Sequence, residues 1–223
     1  MTYTVRLAIA ALTLLSLAPA SAQTNRFRYC QVEDPAVPAG YVANEILIDF
    51  EGRLFGQQMI VRLDSGSIYQ DPFGGETPPN ALLFNAVPSL EFDTFVTMGG
   101  ATSDESEPLL VIGASTEFTA SGGMKQFDES GINIAWAPAT GVVVEDRTRF
   151  PIARLTLSND ANGTILLYSN AGGEGVISNA MRIENGGTGP LAWPPIDECL
   201  PEPTSAAIAL LASLALSANR RSS

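Results

Sequence analysis

Between Asn44 and Gly187 the apolar residues recur at every second position in short runs, and each run stops at Gly, Pro, Asn or Asp. Nowhere in that stretch does a long apolar stripe of period 3.6 appear, so the chain is built to pleat rather than to coil. NEILIDF from Asn44 and QQMIVRLDSGSIYQ from Gln57 read as successive strands, the second with Met59, Val61 and Leu63 on one face and Ile60 and Arg62 on the other. SLEFDTFVTMGG from Ser89 places Leu90, Phe92 and Val96 opposite Glu91 and Asp93. PLLVIG from Pro108, GINIAW from Gly131 and GVVVE from Gly141 are shorter apolar runs bounded by turn formers. FPIARLTLSNDANGTILLYSN predicts a hairpin turning through Asp160 to Gly163, and GEGVISNAMRIENGG adds a strand with Ile177, Met181 and Ile183 inward. About nine or ten strands, together with 20 glycines and 15 prolines, point to an all-β fold. The expected architecture is a single antiparallel β-sandwich, jelly-roll or immunoglobulin-like. The turn-rich stretch from Asp71 to Pro88 predicts a conspicuous loop, which would either line a binding face or cross one end of the sandwich.

The two ends divide the chain into three parts: residues 1–22, 23–200 and 201–223. Arg6, the apolar run Leu7 to Leu17 and the small residues Ala20 to Ala22 have the layout of a signal peptide cut near Gln23. Sec-type export machinery and signal peptidase are its expected partners. At the other end Pro201, Glu202, Pro203 and Thr204 break the chain, an apolar run from Ala206 to Ala218 follows, and Arg220 and Arg221 close it. That run falls short of the roughly 20 residues a spanning helix needs. PEPT, an apolar helix and a basic end together resemble the PEP-CTERM sorting signal of Gram-negative bacteria. The resemblance implies an exosortase-type membrane protease as partner, transient association with the inner membrane through a transmembrane helix, and then release to the cell surface or the extracellular matrix. The body resembles secreted planctomycete-type proteins with the same tail in SGSIYQDPFG, PPNALLFNAVPSLEFDTFVT and the late ANGT turn, and its strand order is faintly similar to cohesin-like sandwiches. The expected body is therefore flanked by an N-terminal signal helix and a short C-terminal hydrophobic helix.

Charge excludes one class of partner. The 24 acidic residues exceed the 12 basic ones, and all of the acids lie between Glu33 and Glu202, where Arg6, Arg220 and Arg221 do not fall. Such a body repels nucleic acid, and no basic patch with interleaved aromatics argues otherwise. Its two cysteines, Cys30 and Cys199, stand at opposite ends of the expected domain. In an oxidising compartment that placement predicts a disulfide fastening the terminal segments.

The chain has no histidine, which removes Ser/His/Asp and Cys/His catalysis and histidine zinc sites together. Lys125, the single lysine, has no S-x-x-K spacing with Ser121. Paired carboxylates, Glu91 with Asp93 or Glu145 with Asp146, are the catalytic option that survives, as in a glycoside hydrolase, and an outward charged face explains them as well. Oxygen ligands make calcium the one metal the sequence admits, on Asp104, Glu105 and Glu107, with Asp128, Glu129 and Asp160 as lesser candidates. None of these reproduces a calcium-loop spacing, so no cofactor is expected beyond such a structural ion. Asn162 also begins a glycosylation sequon on what reads as a tight turn. Among the aromatics, Tyr69 and Phe73 flank Asp71 at the loop entry and are the candidate ligand contacts, ahead of Phe84, Phe95, Trp136, Tyr168 and Trp193. The expectation is a non-catalytic exported surface or matrix protein touching envelope polysaccharide. A carbohydrate-binding module and a two-carboxylate hydrolase are the alternatives.

Overall fold

The computed structural model describes residues 26–113, 124–173 and 175–190. Ten strands follow in chain order: β1 (Arg26–Val32), β2 (Tyr41–Ser65), β3 (Phe95–Val96), β4 (Leu109–Ile112), β5 (Gln126–Asp128), β6 (Gly131–Pro138), β7 (Glu145–Ser158), β8 (Asn162–Ala171), β9 (Val176–Glu184) and β10 (Gly187–Pro190). All pairings are antiparallel and form one connected ten-stranded sheet.

The sheet has two halves, and β2 belongs to both. Its first part lies between β1 and β7, with β3 on the far side of β7. Its second part lies between β6 and β8, with β9 and β10 beyond β8 and with β4 and β5 along the outer edge of β6. The change of partner happens around Gly52, where the β2–β7 register slips and the chain bends. Gly52 takes φ 75°, and a Cβ there would sit 2.8 Å from the Cα of Gly172, itself at φ 61°. Two backbones meet at a distance that only glycines permit. Asp146 Oδ1 accepts the Gly52 N–H at 2.7 Å and the Gly172 N–H donates to the Arg53 carbonyl at 2.8 Å, so the bend is hydrogen-bonded on both sides.

One apolar cluster fills the space between the halves. Ile46, Ile48, Ile152, Leu155 and Leu157 from the first half meet Met59, Ile132, Ile134, Trp136, Ile165 and Leu167 from the second. Trp136 is 1% exposed, and its indole N–H donates to the Thr97 carbonyl at 3.1 Å, joining β6 to the segment after β3. The polar exceptions are instructive. Asn44 is fully buried yet donates to the carbonyls of Leu155 and Gly186 and accepts from Thr188. Gln57 and Ser169, register partners across β2 and β8, are buried with side chains that lack partners.

Several expectations from the sequence are corrected. The all-β, antiparallel character stands, but the two separate sheets of a sandwich are replaced by one sheet bent through a shared strand, in the manner of a half-barrel. The flanking helices are not part of this fold: among the described residues helical structure is limited to two 3-10 turns, Ala81–Leu83 and Pro88–Phe92, and residues 1–22 and 201–223 lie outside the described residues. NEILIDF and QQMIVRL are one strand of 25 residues, because the Glu51-Gly52-Arg53 step bends the ladder without ending it. β7 and β8 do not form the expected hairpin. Each pairs with a different part of β2, so the chain crosses between halves after Ser158, and the Asn162-Gly163 step sits inside β8. Ser89–Phe92 is 3-10 rather than extended, and Val142–Val144 forms no strand.

Two further points concern the ends. No helix among the described residues is long and apolar enough to cross a membrane, so the expected transmembrane helix and the transient inner-membrane stay have no counterpart in the described structure. This says nothing of crossing by strands. Cys30 is buried on β1 and disulfide-bonded, whereas Cys199 lies outside the described residues. The far end of the expected Cys30–Cys199 staple therefore falls outside the described residues.

Candidate functional site

The strongest concentration of buried charge lies under the loop that follows β2. The chain leaves that strand at Ser65, bridges from Ile68 to Leu157 and donates from the Tyr69 N–H to the Thr156 carbonyl at 2.8 Å, so the loop starts pinned to β7. The Tyr69 ring meets Tyr41 edge-on at 5.0 Å. Asp71 then turns the chain. Its Oδ1 accepts the Phe73 N–H at 2.9 Å and its carbonyl accepts the Gly74 N–H at 2.9 Å, the local side-chain-to-backbone bonding for which aspartate is favoured at turns. Asp71 Oδ2 accepts from the Ser89 hydroxyl at 2.7 Å and the Tyr69 hydroxyl at 3.2 Å.

A second carboxylate holds the loop from beneath. Asp93 follows the Pro88–Phe92 turn and is 0% exposed. Its Oδ1 accepts the Asp71 N–H at 2.8 Å and its Oδ2 accepts the Gly75 N–H at 3.0 Å. Gly74 is pressed against it so closely that a Cβ would fall 1.7 Å from Oδ2. Burial pushes the Asp93 carboxyl up to about 6; the N–H groups of Asp71, Gly75 and Thr94 hold it down in part, and the Asp71 charge raises it further. Burial also raises the Tyr69 hydroxyl, against the pull of its Ser89 hydrogen bond and with help from Asp71 and Asp93. Among the described residues no salt bridge reaches either carboxylate.

Arg154 of β7 secures the far side. Its Nη1 donates to the Glu91 carbonyl at 2.7 Å, Nη2 pairs with Glu45, and the guanidinium lies 5.9 Å from the Phe92 ring and 5.7 Å from the Phe95 ring. Among what the loop shows to solvent are large apolar side chains: Phe73 is 72% exposed and Leu82 80%.

The sequence trio Tyr69, Asp71 and Phe73 is thus brought together, with divided roles. Asp71 is a buried clamp, Tyr69 its half-buried partner, and Phe73 alone faces outward. The expected carboxylate pairs are not assembled as expected. Asp93 points inward, away from any face shared with Glu91, and Asp146 is engaged by the Gly52 N–H while Glu145 stands exposed on β7. The pair that does form, Asp71 with Asp93, joins residues that the sequence placed in separate elements. A carboxyl that exchanges a proton with a substrate must be reachable, and Asp93 is walled off by Gly74.

A second feature is an open polar groove of about 350 Å³ between the segment after β3 and the start of β7, lined by Glu105, Glu107, Arg147, Arg149, Met98 and Phe150. Asp146 and Arg149 beside it take φ 49° and 51°, left-handed values unusual for such side chains. Of the calcium candidates, Glu105 and Glu107 share the groove with two arginines, and Asp104 is exposed outside it. Among the described residues no group of three or more carboxylates or other metal ligands gathers in one place. Asp128 binds its own turn through Ser130, which holds its carboxyl low. Lys125 pairs with Glu76 at 2.7 Å. Phe95 and Trp136 are core, Phe84 and Tyr168 half-buried, and Trp193 and the sorting residues Pro201 to Thr204, Arg220 and Arg221 lie outside the described residues. Sequence reasoning missed Phe55, 52% exposed at the Leu54/Gly56 register shift with Arg53 stacked on it at 5.7 Å.

Fold and site define the chain as an all-β antiparallel half-barrel with a carboxylate-clamped loop. No family model matches the sequence, and no curated protein and no solved structure matches it either.

Proposed function

We propose that the protein is an exported, non-catalytic surface or matrix protein that contacts extracellular polysaccharide through the loop bearing Phe73, and that its tail is handled by an exosortase-type protease. The observation that carries this reading is the presentation of Phe73. A ring 72% exposed on a loop fixed by two buried carboxylates is held out at a hydrophobic cost, and an aromatic face held in place is what stacking on a sugar ring requires. The acidic composition favours neutral or cation-bridged partners over nucleic acid. Burial of Asp93 and its occupation by backbone N–H groups speak against a hydrolase built on Asp71 and Asp93, since neither of these carboxylates is free to serve a substrate.

The test is binding of purified 23–200 to the producing cell's own polysaccharide, with and without calcium. Saturable binding that Phe73→Ala abolishes while the thermal midpoint is unchanged supports the reading. Binding that Phe73→Ala leaves intact moves the contact elsewhere, with Phe55 the next ring to remove. No binding in either condition sinks the polysaccharide partner. Mass spectrometry of the mature chain tests the processing separately: a start near Gln23 and an end near Pro201 are expected, and an intact end at Ser223 would overturn tail removal.

A further inference from the structure

Two buried carboxylates holding one five-residue turn, with no ion pair to either among the described residues, make an unusual fastening for a surface loop. The Asp71–Gly75 turn is tied down through the N–H groups of Asp71 and Gly75 on Asp93, and through the N–H of Phe73 on Asp71. Gly74 fits over Asp93 because it lacks a side chain. We infer that this turn is a pH-sensitive latch: it is closed most firmly when the Asp93 carboxyl is protonated, and it loosens when Asp93 ionises beneath it.

The groups that face the pair are named by the packing. Asp71 and Tyr69 come from the loop itself, Ser89 from the 3-10 turn, and Thr94 from the segment that follows it. From β7, Arg154 approaches but spends its guanidinium on Glu45 and on the Glu91 carbonyl; from β2, Glu45 is paired with that arginine. Glu76, just past the latch, is paired with Lys125. No group in this set delivers a compensating positive charge to Asp93, so a second ionisation inside the closed turn is opposed by burial and by its neighbour. Opening the turn admits water to Asp93 and relieves both. Asp93 ionises near 6 when closed, against an ordinary carboxylate when hydrated, so the closed state weakens as pH rises through about 6. The part released is the one carrying Phe73. The inference rests on the loop's own bonding and holds whatever ligand Phe73 meets.

Amide hydrogen exchange of the protein, followed residue by residue from pH 4 to pH 8 and corrected for intrinsic rates, reads the latch directly. Protection at Asp71 and Gly75 is expected to fall on the order of 100-fold across that range, while Met59 and Leu167 in the β2–β8 ladder, which open only with the whole fold, stay better protected than the turn at every pH. Asp93→Asn removes the titrating group, and its profile at the Asp71 amide is expected to be flat. Should that variant fail to fold, the wild-type Asp93 carboxyl carbon is followed by NMR, where a titration midpoint near 6 is expected and Asp71→Asn lowers it. A wild-type profile that is flat, a fall of equal size in Asp93→Asn, or a carboxyl midpoint below about 4 would each overturn the latch.

Discussion

The β2 ladder and the loop that leaves it are fastened by opposite means. Along β2 the chain is held mainly by backbone pairing to β1, β7, β6 and β8 and by apolar side chains, with ion pairs from Glu45 to Arg154 and from Asp49 to Arg28 beside them. Between Tyr69 and Asp93 the backbone has no ladder, and carboxylates stand in for strand partners by accepting its N–H groups. The difference teaches where this protein responds to its surroundings. An apolar ladder answers to packing volume, and a carboxylate-bound turn answers to protons.

The comparison breaks most visibly in the core. Trp136→Ala is expected to lower stability by about 3–5 kcal/mol at any pH, read from the denaturant midpoint, because it leaves a cavity between the halves and orphans the Thr97 carbonyl. The next effect belongs to the loop. Asp93 has a raised folded pKa, so its contribution is fully present below the unfolded value near 4 and is lost as pH rises through about 6; the Asp93 share of stability should drop by about 2–3 kcal/mol between pH 4 and pH 7. Subtracting the Asp93→Asn profile from the wild type isolates that share from groups of opposite sign such as Asp128, whose lowered pKa makes its share vanish as pH falls. Gly74→Ala drives a methyl into Asp93 and is expected to cost about 1–3 kcal/mol, with loss of amide protection confined to the loop. Gln57→Met should stabilise by about 1 kcal/mol in thermal unfolding, since it removes a buried amide that has no partner. Smallest is Lys125→Ala, expected within about 0.5 kcal/mol because its ion pair with Glu76 is well exposed.

The period-two runs reveal the strands because each side chain's face is a local property. Met59 and Val61 inward and Arg62 outward are as the alternation predicts. Partner choice is not local, and there the sequence misleads. Asn162-Gly163 has the residues of a hairpin turn, but β7 and β8 find more to pair with along the two parts of β2 than with each other. The two-residue turn is at Asn185-Gly186, with φ 51° and 77°, joining β9 to β10. The loop entry Tyr69–Phe73 was legible as turn chemistry. Asp93 was not: alternation with Phe92 put it outside, whereas the Pro88-led 3-10 turn changes the period and rotates it beneath Asp71. A bend at Gly52 likewise reads as a strand end until Gly172, far along the chain, is seen against it.

A strand shared by both halves also sets the order in which the molecule can assemble. β2 is synthesised well before its partners β6, β7 and β8, which begin only at Gly131, Glu145 and Asn162. Until those arrive its long, apolar backbone has β1 alone for company. Folding is therefore dominated by contacts distant in sequence, a topology associated with slow closure and late commitment. Neither half can complete itself without the other, so unfolding should be a single cooperative event, and the nascent chain should stay pliable until most of it has been made.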